Sequence, residues 1–231
     1  YGQAFDIGNG TRRALMRFEE GTPALECGGK SDHENGNGSL MRILPIVFYL
    51  RSKYGRDFTS KDEAFQIIHN ISALTHAHKR SQLACGIYIS IASELFKEVD
   101  LKDLIQSGVI KAMDYYKEQE DFQNELHYYK RIESKDFNKI DIDEIKSSGY
   151  VVDSLEAAIW SLLNTTSYKD CVLKAVNLGE DTDTVAAIAG GLAGLYYGYG
   201  GIPEEWVEVI ARKKYVEDLC VLLNESLERG E

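Results

Sequence analysis

The sequence predicts an all-α protein, and three observations support this class. Apolar residues recur at spacings of three and four along most of the chain, and no bounded segment alternates polar and apolar residues. No unit of about 20–50 residues repeats. With 231 residues, 44% apolar and 27% charged, the chain can bury a sizeable core and does not have the composition of a disordered protein. We therefore expect one compact multi-helix domain of about ten helices.

The individual helices follow from the positions whose apolar side chains share one face. This criterion predicts helices over 11–20, 40–54, 60–75, 81–99, 101–116, 118–132, 153–163, 168–178, 185–197 and 216–227, and one more that begins at Pro203. Pro45 predicts a kink or a late start in the second of these. Ser60 and Glu63 have capping-box spacing, and Asp153 or Ser154 is predicted to cap the seventh helix. The charged segment 133–146 is predicted to be irregular.

Charge and cysteine content narrow the class of protein. A net charge of -11 disfavours a general nucleic-acid surface or an anionic-membrane surface, but a small anion could still be held by backbone amides. No signal peptide or transmembrane segment is predicted. The four cysteines lie far apart without a CxxC pair, which indicates reduced thiols and a cytoplasmic protein. The oligomeric state cannot be read from the sequence.

The segment 177–198 joins a polar, acidic half to an apolar half of small residues. Its apolar half has no proline and no charge, and it predicts a buried central helix. Ala186, Gly190 and Gly194 are four residues apart on one face, which indicates close approach of another backbone there.

Asp181, Asp183 and Thr184 stand where this helix begins, and two interpretations remain open. The side chains could cap the first free amides and interact with the helix dipole. Alternatively, their oxygens could converge on a hard cation such as Mg²⁺, which would offset the repulsion between the carboxylates.

A second polar segment, 26–39, holds Gly28, Gly29, Gly36 and Gly38 with asparagine and serine between them, just before a predicted helix. Such a loop could bind a phosphate or diphosphate with its amides, or it could be a surface turn closed by a serine cap. Similarly, His76 and His78 could cap the end of the preceding helix, and His76 could alternatively bind a ligand ribose.

Several motifs together resemble the ADP-ribosylglycohydrolase family. They are Gly36-Asn-Gly-Ser-Leu-Met-Arg42, Thr75-His76, Asp153-Ser-Leu-Glu-Ala-Ala-Ile-Trp160 and Asn177-Leu-Gly-Glu-Asp-Thr-Asp-Thr-Val-Ala-Ala-Ile-Ala-Gly-Gly-Leu-Ala-Gly194. The resemblance implies an all-α fold over 1–231 and a binuclear Mg²⁺ site. It also implies hydrolysis that removes ADP-ribose from modified proteins or from related ADP-ribosyl compounds.

The resemblance also assigns residues. It implies that Asp181, Asp183 and Thr184 bind metal, with both aspartates in the catalytic site. It implies that ADP-ribose is held by Gly36, Asn37, Gly38, Ser39 and His76. Glu180 falls at a variable position and is not expected to be a ligand.

This chain departs from the family pattern at its start, where the family's Thr-Asp-Asp-Thr motif and an upstream acidic residue are absent. Three oxygens do not complete the six-ligand shell of Mg²⁺, so we expect metal binding by these 231 residues alone to be weak or absent. The alternative function is an inactive ADP-ribose-binding or structural homologue on the same scaffold.

Overall fold

A computed structural model describes residues 6–230, and the all-α prediction is confirmed. Within these residues the only β-pairing is two isolated bridges, Gly29 with His76 and Gly36 with Tyr150. The α-helices are α1 Asn9–Glu19, α2 Ile46–Tyr54, α3 Asp62–Ala73, α4 Lys79–Glu94, α5 Leu101–Lys117, α6 Val151–Leu163, α7 Tyr168–Val176, α8 Thr182–Tyr197, α9 Glu204–Glu208 and α10 Lys213–Arg229. Short 3₁₀ segments are Ala24–Glu26, Leu40–Arg42, Phe58–Ser60, Phe137–Lys139, Ile142–Glu144 and Tyr199–Gly201.

The most buried helix is α4, in which every residue from Arg80 to Glu94 is buried. Two of its polar side chains bond neighbouring segments: Ser81 donates to Asn35 at 3.0 Å, and the Tyr88 hydroxyl donates to the Ile188 carbonyl of α8 at 2.9 Å. Because buried polar groups need partners, these bonds fix neighbouring segments against α4. Helix α4 thus anchors both the glycine-rich loop and α8.

Helix α8 was predicted to be the buried centre, but it is buried on one face only, since Ala187 is exposed. Its small-residue face packs against α7. A Cβ added to Gly190 would lie 3.3 Å from both Tyr168 and Val172. The neighbours on this face are therefore side chains, and the expected backbone approach is not found.

Some helix starts differ from the predictions. Pro45 gives the predicted late start of α2. The capping box at Ser60 and Glu63 is wrong, because Ser60 lies in a 3₁₀ turn and α3 starts without a side-chain cap. The cap at Asp153 or Ser154 is also wrong, because α6 begins two residues earlier than Asp153.

Three further features concern one connection, helix length and the cysteines. The segment predicted as a helix over 118–132 is a run of 3₁₀ turns, Glu120–Glu133. No helix within residues 6–230 has the length and apolar character needed to cross a bilayer. All four cysteines are free, and Cys220 is exposed.

Candidate active site

The predicted site residues meet in a cleft of about 540 Å³, a size typical of ligand pockets. The cleft lies between the start of α1, the loop that precedes α2, and the start of α8. It is lined by Asp6, Gly8, Asn9, Gly10, Thr11, Arg13, His33, Glu34, Gly36, Asn37, Gly38, Met41, His76, Gly149, Asp181, Asp183 and Thr184. One cavity therefore joins the acidic motif to the glycine-rich loop.

A sharp turn brings the acidic motif to the cleft. Gly179 and Glu180 both adopt left-handed backbone angles, with φ of 92° and 53°, between α7 and α8. The Asp181 amide then donates to the Ser147 carbonyl at 3.1 Å, which ties the start of α8 to the segment before α6. The left-handed conformation of Glu180 costs about 1 kcal/mol, and the interactions that hold α8 in place must offset this cost.

The Asp181 carboxylate does not cap its own helix. Its Oδ2 instead accepts a hydrogen bond of 2.7 Å from the Asn37 amide, 144 residues away in sequence. The capping interpretation is therefore wrong for this side chain. Because only one lone pair is used in this bond, the other lone pairs of the Asp181 carboxylate are available in the cleft.

Asp183 and Thr184 line the cleft together with Asp181 at the start of α8, and we call these three residues the acidic corner. Asp183 is exposed, and no residue within 6–230 forms a hydrogen bond or an ion pair with its carboxylate. The Thr184 hydroxyl has a weak contact with Met41 Sδ at 3.9 Å. Oxygen donors that are not paired with a lysine, arginine or histidine side chain suit Mg²⁺. These three residues would supply only part of its six-ligand shell.

Residues 36–38 form the opposite wall of the cleft. The backbone N–H of Asn37 donates to the Gly149 carbonyl at 3.1 Å, and the side-chain amide of Asn37 also donates to Ser154 Oγ at 2.8 Å. Ser39 is fully buried behind this wall, where its hydroxyl oxygen lies 3.0 Å from that of Ser72. Gly36, Asn37 and Gly38 thus line the cleft, whereas Ser39 supports the loop from below.

His76 is buried among glycines at the base of the cleft. A Cβ on Gly38 would lie 2.8 Å from its ring, and a Cβ on Gly10 would lie 3.0 Å from its Nε2. Burial and the nearby Arg42 charge lower the pKa of His76 to about 4. The ring is therefore neutral at physiological pH. His78, by contrast, caps the start of α4 by accepting from the Arg80 amide, so its predicted helix-end role is wrong.

The position of His76 depends on Gly28, because the backbone at Gly28 and Gly29 is hydrogen-bonded to the backbone of residues 73–77. A Cβ on Gly28 would lie 2.2 Å from the Ala73 carbonyl oxygen and 2.9 Å from the His76 amide nitrogen. Backbone atoms cannot move aside cheaply. We expect Gly28→Ala to lower the free energy of unfolding by about 2–3 kcal/mol.

Urea denaturation measures this loss, and Gly200→Ala is the matched control because nothing lies within 4 Å of its added Cβ. Equal denaturation midpoints for the two variants would contradict the packing argument.

Sequence reasoning missed several cleft residues. Arg13, on α1, lies 3.3 Å from Glu34, which also approaches Arg17. Burial acts to raise the pKa of Glu34, but hydrogen bonds from Ser31 and the two arginines hold it below its ordinary value. Gly149 was missed as well, although a Cβ there would lie 3.2 Å from Asp181 Oδ2. Only the two small serines before Gly149 hinted at a close approach.

Asp32, His78 and Glu125 form a second acidic group, and each could bring one ligand atom within 4.8 Å of the others. The Arg80 guanidinium already occupies this group, at 2.8 Å from Glu125 and 3.4 Å from Asp32. His78 Nδ1 accepts from the Arg80 amide, which leaves its Nε2–H to donate to Asp32 at 3.1 Å. The group is satisfied as an ion-pair network outside the cleft.

Fold and cleft together define an all-α protein with an oxygen-rich cleft that two aspartates line at the start of α8. The family model described as ADP-ribosylglycohydrolase matches residues 1–231, so the chain belongs to the ADP-ribosylglycohydrolase family.

Two curated relatives illustrate the similarity. An ADP-ribosylarginine hydrolase Tri1 of Pseudomonas putida (strain GB-1) is 32% identical over 222 residues, covering 95% of this chain and 53% of the relative. The ADP-ribosyl-[dinitrogen reductase] glycohydrolase of Rhodospirillum rubrum is 28% identical over 209 residues, covering 90% and 61%. The chain thus spans a little over half the length of these relatives.

A solved structure described as an ADP-ribosylglycohydrolase-related protein complex matches with a TM-score of 0.67 and 24% identity. The alignment covers 94% of this chain and 68% of that one. At this identity the likeness supports the fold.

Proposed function

We propose that this chain carries the ADP-ribose-binding wall and part of the metal site of a metal-dependent hydrolase that removes ADP-ribose from modified proteins. The observation that carries the proposal is the 2.7 Å hydrogen bond from Asn37 to Asp181. This bond joins the glycine-rich loop to the acidic corner within one cleft. The name of the Pseudomonas putida relative makes an arginine-linked ADP-ribose the first substrate to test.

The residues of the acidic corner suit a hard cation. Asp181, Asp183 and Thr184 would hold Mg²⁺, and further ligands would have to come from water, substrate or other protein segments. When bound, the ion supplies charge stabilisation for oxygens of the ribose.

The remaining roles belong to residues of the opposite wall. The diphosphate would lie along Gly36 and Gly38, where the absence of side chains lets phosphate oxygens approach the backbone. Cleavage of the bond to ribose C1′ passes through an oxocarbenium-like transition state, in which water forms the new C–O bond and the acceptor leaves with a proton. Holding the ribose against the acidic corner favours this charge development.

Calorimetry with ADP-ribose, in the presence and absence of Mg²⁺, tests the binding step on the protein expressed at its full encoded length. We expect one ADP-ribose per chain, with AMP binding more weakly because it lacks the diphosphate-linked ribose. No detectable ADP-ribose binding with or without Mg²⁺ would contradict the proposal. Binding with no release of ADP-ribose from an ADP-ribosylated protein would favour the inactive homologue instead.

A further inference from the structure

A chain of hydrogen bonds runs behind the ligand loop, from Arg42 through Thr75 to His76. Arg42 Nη2 donates to Thr75 Oγ1 at 2.7 Å, and Thr75 Oγ1 lies 2.7 Å from His76 Nδ1. Thr75 and His76 are both more than nine-tenths buried. Their hydrogen bonds are therefore sheltered from exchange with water.

The direction of the second bond follows from counting protons. A guanidinium can only donate, so Thr75 Oγ1 accepts from Arg42 and keeps one hydroxyl proton to give. Among residues 6–230, His76 Nδ1 is the acceptor within reach of that proton. If Nδ1 carried the proton instead, the buried Thr75 hydroxyl would be left without an acceptor, at a cost of about 1–3 kcal/mol.

We infer that Arg42 and Thr75 are positioning residues that hold His76 as its Nε2–H tautomer, so that the ring donates a hydrogen bond to an acceptor oxygen of the ligand. His76 lines the cleft, and no residue within 6–230 is hydrogen-bonded to Nε2. The ligand half of this inference rests on the proposed function.

Arg42 also couples the ring to the loop. Its Nη1 donates to the Gly38 carbonyl at 2.5 Å, while its Nη2 reaches Thr75. The planar fork of arginine can serve both acceptors at once, which a lysine ammonium does less well. One half-buried side chain therefore sets the position of the glycine-rich loop and the proton position on the histidine beside it.

The tautomer can be measured directly by two-bond ¹H–¹⁵N correlation spectra of protein with ¹⁵N-labelled histidine, in which His76→Gln identifies the signal. We expect the wild-type ring to be the Nε2–H tautomer at pH 7. Thr75→Val should give mixed tautomers and an ADP-ribose Kd about tenfold weaker, as expected from one lost hydrogen bond. Thr75→Ser should restore the wild-type pattern.

Ser72→Ala is the matched control, because Ser72 donates to the His76 carbonyl and does not touch the ring. We expect it to leave the tautomer unchanged. A wild-type ring protonated on Nδ1 overturns the inference without any need for a folded variant. So does a Thr75→Val spectrum identical to that of the wild type.

The two proposals fail in different ways. An Nε2–H ring in a protein that binds no ADP-ribose overturns the proposed function and, with it, the ligand half of the inference. Tight ADP-ribose binding, together with a His76 tautomer that is the same in the wild type and in Thr75→Val, overturns the positioning role alone.

Discussion

Replacing Asp183 with asparagine is expected to lower kcat/KM for release of ADP-ribose from an ADP-ribosylated protein by at least about 100-fold, or about 2.7 kcal/mol of transition-state stabilisation. Asparagine keeps the shape of the side chain and removes its charge. Because no residue within 6–230 pairs with this carboxylate, its removal breaks no described interaction of the fold. A loss of activity would therefore report on its role in the cleft.

Glu180→Gln provides the matched control for this change of charge. Glu180 is exposed, lies three positions before Asp183 and does not line the cleft. We expect its kcat/KM to stay within about twofold of wild type, since surface substitutions seldom matter. The comparison measures the rate at which each variant releases ADP-ribose from an ADP-ribosylated protein. Equal unfolding midpoints for the two variants would show that both are folded.

The response to Mg²⁺ separates a metal ligand from a residue of another kind. If Asp183 binds Mg²⁺, its loss weakens affinity for the ion, and a higher Mg²⁺ concentration should recover part of the activity. Turnover by Asp183→Asn within about threefold of wild type at every Mg²⁺ concentration would count against the metal role.

Local patterns in the sequence predicted helix positions well and helix starts poorly. Apolar spacing located every helix from α1 to α8, because burial of one face depends mainly on periodicity. The start of α6 depends instead on distant pairing: the Val151 amide donates to the Asn35 carbonyl at 3.0 Å. Ser154, expected as a cap, is drawn into bonds with Ser148 and Asn37.

The run of 3₁₀ turns over Glu120–Glu133 illustrates a different limit. Its buried residues are Phe122, Tyr129 and Ile132, which are seven and three positions apart. The spacing of three fits both helix types, but seven residues are close to two full turns of an α-helix and only about two and a third turns of a 3₁₀ helix. The apolar spacing therefore favoured the α-helix that does not form here.

The site was predictable only in part. Residue chemistry indicated that the acidic motif and the glycine-rich loop could each bind a ligand, and the family resemblance joined them. The contacts that bring them together, such as Asn37 with Asp181 and Gly149 behind both, are long-range and leave no periodic signal. Arg42 is the last residue of one family motif, but its bonds to Gly38 and Thr75 appear only in three dimensions.

Asn37→Asp should destabilise the protein by about 3 kcal/mol at pH 8, because it puts a second carboxylate where an amide now donates to Asp181. Asn37 is only 8% exposed, so solvent screens the repulsion weakly. In the folded state the pair retains a proton to a higher pH than it does in the unfolded chain. Folding then takes up a proton, and the free energy of unfolding falls as pH rises.

The pH dependence and a surface control make the test specific. We expect most of the loss to disappear near pH 4, where both states carry the proton, and added Mg²⁺ to restore part of it at pH 8 by neutralising the paired carboxylates. Asn124→Asp makes the same change at an exposed position and should alter stability by less than about 0.5 kcal/mol at either pH. A destabilisation of Asn37→Asp that is equal at pH 4 and pH 8 would mean that the amide has a packing role alone. The hydrogen bond between Asn37 and Asp181, which carries the proposed function, would then be contradicted.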